Sequence, residues 1–407
     1  MFYVEIDSNT GTFFSEHKLV LQVEGKVFRN SSKGFFNSNN LRKKFSVLLS
    51  ENSKNVVIAY RRILKKNNKS DNNDDIELVT LNDNLEEILK REITLPYNKY
   101  CIQNLDYVLN PNGDLFFLGI IYNDKKARNN LKDKLEDPKF KIQLFFIEKE
   151  SKNIKITDFN IDGKDITNLR LFADDNNNLI CGGYFSTSEG RYTDYDKIIV
   201  FKINEKGEIM NNFYYDIPLD IINSNNKNNK ISYLKLKELK FNSDGSFVMF
   251  GEQEHVQING NIYQFFYDNI LAAKINNNGS LSWIKNIEKK QKGFGGKADL
   301  SFIYLTKKDE HCLIYLDNIK NENINNYEQL SQHVSGKGGY ITAVKISDLN
   351  GELEKKYLLN LRNVNNNELF DFNIRKEWTV VVNDKFIIIE LYKGNHEDVL
   401  FKFDIVD

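Results

Sequence analysis

The chain has 407 residues with 56 basic and 57 acidic side chains, a net charge of −1, and it is 41% hydrophobic. This balance excludes a charge-driven attraction to nucleic acid or to anionic lipid. No run of about 18 apolar residues occurs, and no apolar segment lies near the amino terminus, so we expect no nucleic-acid partner, no membrane span and no signal peptide in this chain.

The first predicted element is a short hairpin. Phe2–Lys18 reads as two strands around the polar turn Asp7–Gly11. Its pattern matches the outer hairpins that recur further along the chain, so we interpret residues 1–19 as outer strands separated from their own inner pair. Residues 20–45 read as a connecting loop, and residues 46–407 carry the repeated pattern.

From residue 46 onward, an apolar strand, a polar turn and a second apolar strand recur six times, at a spacing of about 65 residues. These inner hairpins are Ser46–Arg61, Leu105–Ile121, Leu169–Phe185, Leu236–Gly251, Leu300–Leu316 and Trp378–Leu391. An outer hairpin follows each of the first five. The outer hairpins are Ile76–Ile93, Gln143–Phe159, Ile198–Tyr214, Ile270–Ile287 and Ile341–Leu358.

Two hairpins per period give four strands, which is the size of one blade of a β-propeller. A single blade cannot bury both of its faces, so the repeats must stack against each other to form a core. We therefore predict an all-β chain that forms one propeller domain over residues 1–407. Six four-stranded blades fit best, with seven as the alternative, and pairing of the first and last strands would close the ring.

One loop has the pattern of a calcium site. Asp158, Asn160 and Asp162 alternate along the chain before Gly163, with Asp165 close behind, and such oxygen ligands suit a hard cation. The segment resembles the calcium loop of the FG-GAP propeller repeats, although Ile166 stands where those loops have a carboxylate. The alternative is a polar turn between two blades.

A second candidate follows the inner strand that ends at Phe250. Glu252 and Glu254 would share one face of an extended strand, where two neighbouring carboxylates could perform acid–base chemistry or bind a ligand or metal. His255 is the third binding candidate of this segment, and its side chain would point to the opposite face. The alternative is an exposed strand end with solvated charges.

Four stretches together resemble an uncharacterised propeller-like family that is common among cell-envelope proteins of Bacteroidota. They are Leu179–Ser186, Phe250–His255, Tyr267–Gln291 and Phe302–Asn321. The resemblance implies a location in the periplasm or at the cell surface, and it brings no activity with it.

The sequence contains no nucleophile elbow, no HExxH motif and no Walker loop. We therefore favour a non-enzymatic binding or scaffold protein that recognises a protein or glycan through loops at one end of the ring. The alternative is a carbohydrate-active enzyme with carboxylates at the channel mouth, which needs two carboxyl groups roughly 5–10 Å apart. Apart from the calcium loop, the sequence predicts no cofactor, and it leaves the oligomeric state open.

Overall fold

The computed structural model describes residues 1–5, 7, 12, 14, 16–27, 44–50, 52, 54–63, 73–98, 100–123, 140–159, 169–186, 194–225, 230–294, 300–307, 309–322, 324, 329–335, 338–362, 370–372, 379–382, 386–393 and 397–404. Nearly all regular structure in these residues is β-strand, as the sequence predicts. The exceptions are helix α1, Leu219–Asn225, and a single 3-10 turn at Ile319–Asn321. No helix in these residues has the length and apolar character needed to cross a bilayer.

The strands are numbered in chain order. The first seventeen are β1 Phe2–Tyr3, β2 Lys18–Leu19, β3 Lys26–Val27, β4 Phe45–Leu49, β5 Val56–Tyr60, β6 Arg62–Ile63, β7 Asn73–Leu81, β8 Glu87–Asn98, β9 Ile102–Leu109, β10 Leu115–Tyr122, β11 Phe140–Ile147, β12 Lys155–Phe159, β13 Leu169–Ala173, β14 Leu179–Phe185, β15 Asp194–Tyr195, β16 Lys197–Ile203 and β17 Ile209–Asp216. The remainder are β18 Ile231–Ser232, β19 Leu234–Phe241, β20 Phe247–Asn259, β21 Ile262–Ile275, β22 Leu281–Ile287, β23 Gln291–Phe294, β24 Phe302–Lys307, β25 Glu310–Asp317, β26 His333–Val334, β27 Tyr340–Ser347, β28 Leu353–Asn360, β29 Phe370–Phe372, β30 Thr379–Val382, β31 Phe386–Lys393 and β32 Glu397–Asp404.

The described chain forms two compact units. Unit 1 comprises Met1–Glu189 and Lys197–Tyr215, and unit 2 comprises Gly190–Asp196 and Asp216–Asp407. Unit 1 contains three four-stranded sheets, with the orders β4-β5-β7-β8, β12-β11-β10-β9 and β13-β14-β16-β17. In unit 2, β19-β20-β21-β22 and β24-β25-β27-β28 repeat the same meander, and in the last sheet β29, β30 and β32 all pair with β31.

All eleven predicted hairpins are present, and in the first five repeats the inner hairpin pairs with the outer one to complete a sheet. The hairpins could be predicted because the strands alternate with a period of two, so that neighbouring residues enter different cores on the two faces of a sheet. On β10, Phe116 and Leu118 belong to the core shared with β13, β14 and β16, whereas Leu115 and Phe117 belong to the core shared with β5 and β7.

Strand β25 in unit 2 divides its side chains in the same way. Leu313 and Tyr315 pack with the β20–β22 sheet, and Ile314 and Leu316 pack on the other side with Ile387 and neighbouring residues of the last sheet. Sheets that are covered on both faces need nearly continuous apolar strands. This requirement is the physical reason for runs such as that of β10, in which every residue is buried.

The hairpin turns are held by their own side chains. In one turn, Asn204 Oδ1 accepts from the backbone N–H groups of Lys206 and Glu208, and its amide nitrogen donates to Glu208 Oε2 at 2.8 Å. Gly207, in the same turn, has the left-handed conformation that glycine favours, with φ 75°. Asn82, Asn110 and Asn276 form similar bonds four residues ahead, so these asparagines serve the fold rather than a ligand.

The sequence analysis interprets residues 20–45 as a connecting loop, but strand β3 lies within this segment and pairs with β6.

The two chain ends contain the predicted strands. Strand β1 pairs with β2, and β32 pairs with β31. Among the described residues the sheets include no pairing between β1 or β2 and β32. Ring closure, the blade count and the single domain over residues 1–407 therefore stay predictions.

Candidate functional site

The candidate carboxylates lie inside a strand rather than at its end. Strand β20 continues from Phe250 through Glu252 and Glu254 to Asn259, and it pairs with β21 on both sides of a register shift between Glu252 and Glu254. Glu252 has no exposed surface and Glu254 is 3% exposed. The alternative interpretation of an exposed strand end with solvated charges is therefore wrong, because the next strands of unit 2 cover this position.

Glu252 lies at the centre of a buried charge cluster. Its Oε1 is 2.7 Å from Lys289 Nζ, and neither side chain is exposed. Its Oε2 accepts a hydrogen bond from the Ser301 hydroxyl. A buried carboxylate without such partners would carry a large desolvation cost, and these contacts offset that cost.

Lys237 joins the two carboxylates. This lysine, on the neighbouring strand β19, forms an ion pair with Glu254 Oε2, and its Nζ lies 3.6 Å from Glu252 Oε2. Lys235 adds a second cation to Glu254, with 3.0 Å between Nζ and Oε1. The structure therefore brings Glu252 and Glu254 together, as predicted from their spacing, but with a lysine between them.

Lys289 is held by more than its carboxylate. Its Nζ donates to Tyr267 O at 2.9 Å and to Gln291 Oε1 at 2.8 Å. Burial lowers its pKa, while Glu252 acts in the opposite direction. The amine is fully buried under Tyr267 and Tyr315, so it is not accessible as a nucleophile.

Ser301 is a strained residue that serves this cluster. Its backbone φ is 101°, a value that residues other than glycine rarely adopt. In this conformation its N–H donates to Gln291 Oε1 at 3.0 Å while its hydroxyl donates to Glu252. Gln291 in turn donates to Leu316 O at 2.8 Å. The strain is thus offset by two hydrogen bonds to buried polar groups.

Asp268, near this cluster, has a pKa that is raised to about 6. Burial is the main cause; Lys289 opposes it and Glu252 adds to it. Its Oδ1 has no hydrogen-bond partner in the described part of the chain. Asp268 therefore has the raised pKa that an acid catalyst needs, but its neighbour Glu252 is closed to solvent.

His255 stands apart from the two carboxylates. Its ring stacks on Phe266 at 4.5 Å and on Tyr233 at 4.9 Å. Burial lowers its pKa, with Lys235 contributing in the same direction. The histidine therefore acts as an aromatic packing residue in the described structure.

The arrangement is unsuited to glycoside hydrolysis. That reaction needs a protonated carboxyl group and an accessible partner carboxylate, whereas Glu252 and Glu254 are buried in lysine ion pairs. Within the described ranges, no group of three or more His, Cys, Asp or Glu side chains could hold a metal ion.

The predicted calcium loop is described only at its first residue. Asp158 lies on β12, where Oδ1 accepts from Gln143 Nε2 at 2.6 Å and lies 3.7 Å from Lys141 Nζ. Asn160, Asp162 and Asp165 lie outside the described residues, so the calcium site and its alternative, a polar turn, both stay predictions.

A second polar cluster in unit 2 has no signal in the sequence. Asp348 lies in the turn between β27 and β28. Its Oδ2 accepts from Lys274 Nζ at 2.5 Å, and its Oδ1 accepts from Asn242 Nδ2 at 2.9 Å and lies 3.0 Å from His311 Nε2. The other ring nitrogen of His311 is 2.8 Å from Tyr304 OH. Because these residues come from separate hairpins, no local motif could reveal them. Their contacts tie neighbouring sheets together.

The hairpin β20–β21 extends beyond its neighbours β19 and β22, and we call its paired segments 254–259 and 262–267 the arm. Strand β19 pairs with β20 only as far as Gln253, and β22 pairs with β21 only from Ile270 onward. The arm ends in the two-residue turn Gly260–Asn261. Several large apolar side chains are exposed there, and they are Val256 at 37%, Ile258 at 60%, Ile262 at 56% and Tyr263 at 51%.

The sequence analysis missed the arm, although a signal was present. Gly260–Asn261 is a strong hairpin turn pair, and apolar residues flank it on both sides. The prediction instead ended one strand at Gly251 and began the next at Ile270, because it relied on the regular spacing of the repeats.

No protein-family model matches the chain, and no curated protein matches it. Similar solved structures include a protein of unknown function from Bacteroides caccae, with 8% identity and a TM-score of 0.34 over 80% of this chain and 85% of that chain. The C-terminal WD40 domain of Sif2 has 10% identity and a TM-score of 0.34 over 89% of this chain and 81% of that one. The polysaccharide lyase Uly1 has 10% identity and a TM-score of 0.39 over 95% and 85%. These values are too low to carry an argument about function.

Proposed function

We propose that this chain is a non-enzymatic binding or scaffold protein of the propeller type, which recognises a protein or glycan ligand. The observation that carries the proposal is the burial and ion pairing of the two best catalytic candidates. Glu252 and Glu254 are buried and paired with Lys235, Lys237 and Lys289, so they fix the fold and are unavailable for chemistry.

The arm supports recognition of a protein rather than of a glycan. Ile258 and Tyr263 are directly opposite each other and more than half exposed, on a hairpin that protrudes past its sheet. Exposed apolar side chains grouped in this way are typical of protein-binding surfaces. A location in the periplasm or at the cell surface stays a prediction from the family resemblance.

The alternative, a carbohydrate-active enzyme, would need an accessible acid. Asp268, with its pKa of about 6, is the residue that meets the acid requirement. Its neighbour Glu252 is fully buried and ion-paired, so no accessible nucleophile or base accompanies it.

A turnover assay tests the proposal. The purified chain is incubated with a panel of polysaccharides, nitrophenyl glycosides and nitrophenyl esters, beside the variants Glu252→Gln and Asp268→Asn. We expect no turnover by the wild type above the level of either variant. Turnover of any substrate that one of these substitutions abolishes, in a variant that still folds, would overturn the proposal.

A further inference from the structure

We infer that the arm is a self-association surface, through which the outer edge of β20 pairs with the same edge of a second copy of this chain. The inference rests on the proposed function as a binding protein and names the partner. It is carried by the direction of the backbone groups on the arm, by its side-chain pattern and by its lack of charge.

The backbone of β20 presents an open edge at Val256 and Ile258. In an antiparallel pair, successive residues direct their N–H and C=O groups alternately toward the partner strand and away from it. The N–H of Glu254 donates to Tyr233 O at 3.0 Å, on the side away from β21. Val256 and Ile258 therefore direct their groups to that same side, where no strand pairs with β20 past Gln253 among the described residues.

This edge lacks the usual protection against strand pairing. Natural edges are blunted by lysine, by proline or by a bulge. The sequence from Val256 to Phe266 contains no charged residue and no proline, and the pairing of β20 with β21 is regular from Glu254 to Asn259. The outer strand β28, by contrast, carries Glu354, Lys355 and Lys356. An unprotected edge with free hydrogen-bonding groups is a template for pairing with a strand of another chain.

The pattern of the edge is complementary to itself. In an antiparallel pairing with Gln257 on the two-fold axis, Val256 faces Ile258 of the second copy, and each such pair exchanges both of its backbone hydrogen bonds. Residues that face each other across strands lie on the same side of the sheet. Val256, Ile258 and Tyr263 of the two copies would then form one continuous apolar face.

The base of the arm is rigid enough to present this edge. His255 is stacked between Tyr233 and Phe266, and Lys292 Nζ lies 5.1 Å from the centre of the Phe266 ring. Strand β23 pairs with Gln264–Tyr267 on the opposite edge of β21. Gln264–Tyr267 are therefore already paired on that edge, whereas the edge of β20 at Val256 and Ile258 is open among the described residues.

The test is the mass of the full chain by analytical ultracentrifugation from about 1 to about 200 µM, because an interface of a single strand pair is small and predicts micromolar affinity. We expect a monomer–dimer equilibrium. Val256→Pro removes an outward N–H without removing a bond to β21, and Ile258→Lys places a charge on the edge. Both variants should stay monomeric over this range.

Ile262→Lys is the matched control, because Ile262 is equally exposed on the arm but pairs with Asn259 and so lies on the other face. It should dimerise like the wild type, and circular dichroism should show all variants folded. A monomeric wild type at about 200 µM, or a Val256→Pro variant that still dimerises, would overturn the inference. Either result would leave the proposed function standing, whereas substrate turnover would overturn that function whatever the mass.

Discussion

Lys289 and Glu252 form an ion pair in which neither side chain has any exposed surface, with 2.7 Å between Nζ and Oε1. The lysine also donates to Tyr267 O and Gln291 Oε1, and the carboxylate also accepts from Ser301. Burying two charges is costly unless all of their hydrogen-bonding groups are satisfied, so each partner depends on the other.

We expect Glu252→Gln and Lys289→Met each to lower the free energy of unfolding by about 3 kcal/mol, because each leaves a buried charge without its main partner. The double variant should lose less than the sum, by about 1–3 kcal/mol. Urea denaturation of the four proteins measures this coupling. The exposed pair Lys155–Glu208, at 2.6 Å, is the control and should show coupling of no more than about 0.5 kcal/mol. Equal coupling in the two pairs would contradict the prediction.

Asp268→Asn should stabilise the protein above pH 6. Burial raises the pKa of Asp268 to about 6, so the folded state binds a proton that the unfolded chain has already lost. Stability therefore falls as the pH rises from about 4 to about 6, and the asparagine variant avoids this loss of about 1–3 kcal/mol. Urea midpoints at pH 4.5 and pH 8 measure the effect. The exposed Asp309→Asn serves as the control, and a Asp268→Asn variant that is no more stable than the wild type at pH 8 would contradict the prediction.

His333 should contribute to acid denaturation. It is 4% exposed, its Nε2 has no hydrogen-bond partner in the described residues, and burial lowers its pKa to about 4. His333 takes up a proton near pH 6.5 in the unfolded chain but stays neutral in the folded chain down to about pH 4. The free energy of unfolding therefore falls as the pH drops from about 6.5 to about 4, by up to about 3 kcal/mol. His333→Gln should flatten this part of the stability profile, measured by urea denaturation at several pH values. The exposed His17→Gln should leave the slope unchanged; an unchanged slope in His333→Gln would refute the assignment.

The calcium prediction can be tested by chelation. Asp158 Oδ1 is already bonded to Gln143 Nε2 at 2.6 Å, which competes with a cation for that oxygen. We therefore expect excess EDTA to leave the melting temperature of the wild type unchanged, and added calcium to leave it unchanged as well. A rise in melting temperature with calcium that is lost in Asp162→Asn would establish the site and contradict this expectation.

Much of the fold could be read from the sequence because its signals are local. Strand alternation and turn residues act over a few positions, so the hairpins β9–β10 and β24–β25 follow from their own segments. The spacing of Glu252 and Glu254 likewise indicated that the two carboxylates lie close together.

Only the tertiary structure decided what those carboxylates are for. Lys289 is separated from Glu252 by two strands, and Asn242 and Asp348 meet across 106 positions, so no motif could pair them. The sequence by itself determined an all-β chain of repeated hairpins, because backbone hydrogen bonding and the alternation of apolar residues are properties of short segments. Burial, ion pairing and the free edge of the arm depend on which strands cover one another, and that is a property of the packed sheets.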